Sequence, residues 1–176
     1  GRLLADHGAV VIRLESPRRL DPGRTLTPWA EGKAGPNRSQ GFANYNAGKR
    51  SMALDLAKPD ARDLARRLIA TADVVVESFS AGTTARWGLD WATLSRDHPR
   101  PIYLSSCQQG QTGPHAHYRG YGSLAAALAG FYSVTGWPDR EPAMIYGAYT
   151  DFVAHHFAST AVLAALDLRR RTGLGQ

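Results

Sequence analysis

Asp151 stands where an acidic side chain can do chemistry. It precedes a run, residues 152–166, that is apolar on nearly every face except at His155, His156, Ser159 and Thr160. An aspartate at the start of a helix accepts backbone N–H bonds and gains from the helix dipole. Aspartate is a leading cap residue, so the residue types alone favour capping. The other role open to it is that of a nucleophile. The two roles are compatible, because N–H groups that orient a carboxylate also hold it ionised.

Other reactive side chains carry weaker signals. His155 and His156 are adjacent and point to different helix faces, so they lack the i, i+4 spacing of a helical metal pair. His115 and His117 fall in a loop. None of the four is assigned to a metal. Cys107 ends a predicted strand and reads as a small buried side chain. The stretch SFSAGTTARWG, residues 78–88, places glycine and hydroxyls at a strand-to-helix turn, with Arg86 one turn on. Exposed N–H groups and a guanidinium there could take a phosphate, and an ordinary capped helix is the alternative. Lys49 and Arg50 read as a solvated pair.

The elements that must position these residues alternate. Residues 2–7 look like a helix end with Gly8 as its stop. AVVIRLE at 9–15, SMALDL at 51–56, DVVVESF at 73–79 and PIYLSSC at 101–107 read as strands. The third is a continuous apolar run of the kind buried on both faces of a parallel sheet. Residues 16–41 are rich in Pro, Gly, Arg and Ser and read as one long loop, a common home for function. A helix is expected to start near Pro59, with Asp60 in its first turn and Leu64, Leu68 and Ile69 on one apolar face. Further helices are expected once or twice within 80–98, at 121–131 and at about 151–171.

Strands separated by helices predict an α/β domain with a mostly parallel sheet flanked by helices. Ligands of such sheets sit at the carboxyl ends of the strands. Three predicted strand ends carry polar residues: Glu15, Glu77–Ser78 and Ser105–Ser106. Neither GxGxxG nor a Walker sequence occurs.

The chain has 176 residues, 43% hydrophobic and 20% charged, as expected of a globular protein with a core. Its formal charge is +6. The basic residues are scattered and lack the interleaved aromatics of a stacking surface, so no nucleic acid partner is expected. No stretch reads as a membrane span or as a signal peptide. A single cysteine excludes a disulfide within the chain and suits a reducing, cytoplasmic setting.

Five segments in order carry a resemblance: LLADHGAVVIRLESP, NAGKRSMALDL, ADVVVESFSAGTTARWGLD, GQTGP and DFVAHHFASTAVLAALDLRRRTGLGQ. Together they resemble the class III CoA-transferases, the group that includes formyl-CoA transferase, carnitine CoA-transferase and alpha-methylacyl-CoA racemase. The resemblance implies that residues 1–176 form part of a large Rossmann-like, CoA-binding domain. It further implies that a first strand with a glutamine-bearing turn precedes Gly1. The small domain, with a glycine-rich loop, would follow Gln176. The complete protein would be an interlocked homodimer.

The same resemblance assigns roles. Asp151 takes the place of the nucleophilic aspartate before the long helix that leads to TGLGQ, which shifts the balance from capping towards catalysis. Arg24, Leu54, Phe79, Arg86, Arg119 and Tyr121 match positions that contact CoA. Ser78 replaces an asparagine of the pattern, Arg119 a lysine, and Gln108 a glycine. The implied reaction moves CoA from an acyl-CoA to a carboxylic acid through an aspartyl anhydride and an aspartyl-CoA thioester. CoA is then a substrate, and no prosthetic group or metal is implied. Two alternatives remain, an acyl-CoA racemase or epimerase and a non-catalytic CoA-binding fragment. Racemases of the group carry histidine where Tyr121 stands, and a tyrosine is too weak a base at neutral pH to replace it simply.

Overall fold

A computed structural model describes residues 1–176. The chain divides into two compact units, Gly1–Arg67 and Leu68–Gln176. Each contains one two-stranded parallel sheet with helices around it, in keeping with the α/β expectation.

The first unit begins with α1 (Arg2–Asp6), which ends before Gly8 at φ +94°. Strand β1 (Val11–Glu15) pairs in parallel with β2 (Lys49–Ala53), Val11 opposite Lys49 and Glu15 opposite Ala53. The second strand thus starts two residues earlier than its sequence suggests, because Lys49 and Arg50 join the ladder. The connection between the strands is not one loop. It holds short 3-10 turns at Pro22–Thr25 and Ala30–Gly32 and a helix, α2 (Gln40–Asn46). Buried Ser39 caps α2, its Oγ accepting the Phe42 N–H at 3.2 Å. Helix α3 (Pro59–Ile69) follows, with Asp60 in its first turn and Arg66 and Arg67 in its last, each on the end that suits the dipole.

In the second unit β3 (Val74–Glu77) pairs in parallel with β4 (Ile102–Ser105). Between them lie α4 (Thr83–Trp87) and α5 (Trp91–Asp97). Helices α6 (Gly122–Leu128) and α7 (Tyr149–Thr172) complete it. Ile102, Leu89 and Leu94 are buried here, as are Ala126 of α6 and Val162 and Ala165 of α7. The apolar run of β3 is not covered on both faces, for Val76 is 50% exposed.

The end of α7 explains TGLGQ residue by residue. Gly173 adopts φ +80°, which favours glycine, and its N–H returns to the Arg169 carbonyl at 2.8 Å. The chain then runs beside β4: Gly175 N–H donates to Pro99 O and Tyr103 N–H to Gln176 O, each at 2.8 Å. Arg169 clamps the same corner, donating to the Asp73 carboxylate at 2.7 Å. At Gly175 a Cβ would lie 2.5 Å from the Arg100 carbonyl oxygen and closer still to that of Pro101. Gly175→Ala is therefore expected to destabilise the protein by about 2 kcal/mol through backbone displacement. Urea unfolding of the variant beside the parent measures this.

Candidate functional site

Asp151 lies in the first turn of α7, three residues beyond the cap residue Ala148. It does not cap its own helix, which corrects the capping expectation. Its Oδ2 instead accepts the N–H of Gly122, the first residue of α6, at 3.1 Å. The neighbouring Thr150 hydroxyl donates to the Gly122 carbonyl at 2.9 Å. Two consecutive residues of α7 thus grip both polar groups of one residue in α6. The approach requires glycine, because a Cβ on Gly122 would fall 2.7 Å from the Asp151 nitrogen and 2.8 Å from its Cγ. Gly122 is buried while Asp151 is exposed. The carboxylate is held by one edge and open to solvent.

Tyr121 precedes that glycine and acts as the cap residue of α6. Its side chain is 77% exposed. Its carbonyl accepts from Gln108 Nε2 at 3.2 Å, which ties the loop after β4 to the start of α6. Arg119 is exposed two residues earlier. Asp151, Tyr121 and Arg119 are therefore brought to one neighbourhood by the Gly122 contact and the chain itself.

Phe79 and Arg86 sit at the carboxyl end of β3. Phe79 packs edge-on against Trp87, with ring centroids 5.1 Å apart. Arg86 is exposed and donates to the Thr83 hydroxyl at 3.0 Å, leaving most of its guanidinium to solvent. Three backbone N–H groups of this turn already have partners. Phe79 N–H donates to Glu77 Oε2 at 2.8 Å, Gly82 N–H to Gln111 Oε1 at 3.0 Å and Thr83 N–H to Ser80 O at 3.1 Å. These three backbone donors are taken up within the fold, while most of the Arg86 guanidinium stays in solvent.

Arg24 and Leu54 belong to the first unit. Leu54 is half-buried just beyond β2, its N–H on the Glu15 carbonyl at 2.9 Å. Arg24 is a structural hub. Its Nε and Nη2 donate to the two Glu15 oxygens at 2.7 and 2.8 Å, and its Nη1 to Pro36 O and Asn37 Oδ1 at 2.8 and 2.7 Å. The guanidinium also lies 3.7 Å from the Phe42 ring centroid. With four hydrogen bonds already made, it offers a phosphate little besides charge. The Arg24 fork, helped by the Asp21 N–H and by Arg13, draws the Glu15 pKa down to about 2. Lys49 is half-buried against Asn46 Oδ1 at 2.9 Å, and burial followed by Arg13 lowers its pKa.

His155 and His156 are exposed, their rings 3.9 Å apart, and no group of three His, Cys, Asp or Glu converges on a point. Cys107 is half-buried rather than buried, because it sits in the loop beyond β4. Two residues that matter here are absent from the sequence expectations. Gly122 signals itself only as a glycine opening an alanine-rich helix, and Gln111 only as a member of GQTGP.

The family model for CoA-transferase family III matches residues 1–176. The chain belongs to this family. It is 40% identical over its whole length to a succinate–glutarate CoA-transferase of Agrobacterium fabrum, of which it covers 44%. It is 38% identical to a succinyl-CoA–D-citramalate CoA-transferase of Chloroflexus aurantiacus, of which it covers 43%. A CaiB/BaiF family protein of Brucella suis has the same fold, with a TM-score of 0.88 at 40% identity, all of this chain matching 46% of that one. The chain thus spans under half the length of these relatives.

Two measurements probe this geometry. Gly122→Ala should leave the fold intact at a cost of about 1 to 3 kcal/mol while moving the Asp151 carboxylate off its donor, as a crystal structure and an unfolding curve would show. Glu15 tests the hub. Its folded pKa lies below the ordinary 4.5. Its contribution is therefore full above pH 4.5 and is lost as pH falls towards 2. Glu15→Gln should cost about 2 kcal/mol at pH 7 and flatten that acid limb, measured by unfolding across pH.

Proposed function

We propose that the polypeptide containing this chain transfers CoA from an acyl-CoA to a carboxylic acid, with Asp151 as the nucleophile. The observation that carries the reading is the Asp151 carboxylate itself: exposed, in the first turn of α7, and anchored through one oxygen on the Gly122 N–H at 3.1 Å. Carboxylates are ionised at neutral pH and need no general base to attack. CoA transfer is also the activity for which the relatives above are named.

The reaction runs in balanced steps. Asp151 attacks the thioester carbonyl, the C–S bond breaks, and a mixed anhydride forms as the CoA thiolate leaves. The thiolate attacks the aspartyl carbonyl, releases the donor acid and leaves an aspartyl-CoA thioester. The acceptor carboxylate attacks that thioester, giving a second anhydride and thiolate. The thiolate attacks the acceptor carbonyl, and Asp151 is freed as carboxylate. The Gly122 N–H bears on charge developing at the aspartyl oxygen.

Arg86 and Arg119, both exposed, supply charge for CoA phosphates, while Phe79 and Leu54 supply apolar contact. Arg24 acts mainly by organising the long connection between β1 and β2, since Glu15, Pro36 and Asn37 occupy its donors. Tyr121 favours transfer over racemisation, being a poor base at neutral pH. Residues 1–176 serve as part of a Rossmann-like large domain of a homodimer. Exposed Val134, Tyr146 and Phe157, at 84, 97 and 76%, support burial against further protein. CoA is substrate, no prosthetic group takes part, and the setting is cytoplasmic.

The complete polypeptide incubated with an acyl-CoA and hydroxylamine should acquire a hydroxamate at Asp151, seen by peptide mass spectrometry. Asp151→Ala should lose the adduct and at least about a thousandfold in transfer rate. Transfer by the variant at the parental rate would remove Asp151 from the mechanism.

A further inference from the structure

Glu77 ends β3 and is 8% exposed, yet no cation pairs with its carboxylate. Neutral donors surround it instead. Oε2 accepts the Phe79 N–H at 2.8 Å. Oε1 accepts the Ser105 hydroxyl, from the end of β4, and Gln111 Nε2 at 3.3 Å. Gln111 Nε2 also lies 2.8 Å from Ser105 Oγ, while Gln111 Oε1 accepts the Gly82 N–H at 3.0 Å. A buried carboxylate costs several kcal/mol to desolvate unless such donors surround it. The arrangement is therefore costly to disturb.

We infer that Gln111 and Glu77 are positioning residues that clasp the two loops at the carboxyl end of the β3–β4 sheet. One loop, 78–82, carries Phe79 and leads into Arg86 on α4. The other, 106–113, carries Gln108, whose amide holds the Tyr121 carbonyl next to Gly122. The Gln111 side chain reaches from the second loop to the backbone of the first, and Glu77 fixes that amide's orientation. Gly82 adopts φ +73°, so its N–H is aimed by a backbone conformation that favours glycine. The clasp acts through Phe79 and Arg86 and touches no substrate. Its bearing on CoA rests on the function proposed above.

The chemistry allows a reciprocal test. Gln111→Glu sets two carboxylates against each other, and Glu77→Gln sets two amide NH2 groups together. The double variant Glu77→Gln/Gln111→Glu satisfies every partner again. Its amide at position 77 accepts from Phe79 N–H and donates across, while its carboxylate at position 111 accepts from Gly82 N–H and Ser105. In the complete polypeptide, Gln111→Glu should raise the dissociation constant of CoA by about tenfold or more, read by calorimetry. The double variant should return to within about threefold of the parent. Amide hydrogen exchange reads the clasp without CoA: Gly82 and Phe79 should lose protection in Gln111→Ala and Gln111→Glu and regain it in the double variant. Unchanged protection in Gln111→Ala overturns the clasp whatever CoA does. Lost protection with parental CoA affinity overturns its part in binding. A parent that shows the exchange pattern but never binds CoA refutes the proposed function and leaves the loop lock standing.

Discussion

The site depends on a side chain that is not there. Gly122 lets the start of α6 approach the first turn of α7 closely enough for a backbone N–H to reach Asp151. Thr150 secures the same residue by its carbonyl, so the contact has two ends and one geometry. Tyr121, Gln108 and the loop after β4 inherit their positions from it. A single neutral donor suits the nucleophilic role proposed for Asp151. It orients one oxygen and leaves the other in solvent, without the crowd of donors that would make a carboxylate inert.

Glu15 and Glu77 show the contrast. Both end a parallel strand, and both are largely buried, yet they are stabilised differently. Glu15 takes a bidentate guanidinium, the strong charge-assisted arrangement, and is drawn to a low pKa. Glu77 takes amide and hydroxyl donors alone. The first solution pins a long, glycine- and proline-rich connection that has little apolar material to pack. The second joins two short loops already close in space. In each unit a carboxylate at a strand end turns irregular backbone into a fixed surface.

The regular elements were legible because their signals are local. The β-branched runs gave three of the strands to within two residues, and the arginines with Gly173 gave the end of α7. Helix α2 was hidden because QGFANYN has no apolar period; only Ser39 announced it, and a serine in a polar loop is a weak sign. The exposure of Val76 was hidden too, since strand composition does not say what packs over each face of a strand. At the site, the aspartate could be read and its partner could not. Gly122 is 29 residues away in sequence, and only the approach of two helices makes it matter. Likewise the resemblance implies a CoA contact at Arg24, and only the fold shows its hydrogen bonds to Glu15, Pro36 and Asn37.

The proposal of Asp151 as the nucleophile fits what else the neighbourhood lacks. A serine or cysteine would need a base within hydrogen-bond reach. The histidines nearest in sequence, His155 and His156, lie on the exposed side of α7 and pack on each other. Cys107 sits half-buried in the loop beyond β4. A carboxylate needs no partner to act as the nucleophile proposed above. What such a group does need is a fixed place on a rigid element with one face open. A long helix and a glycine provide both.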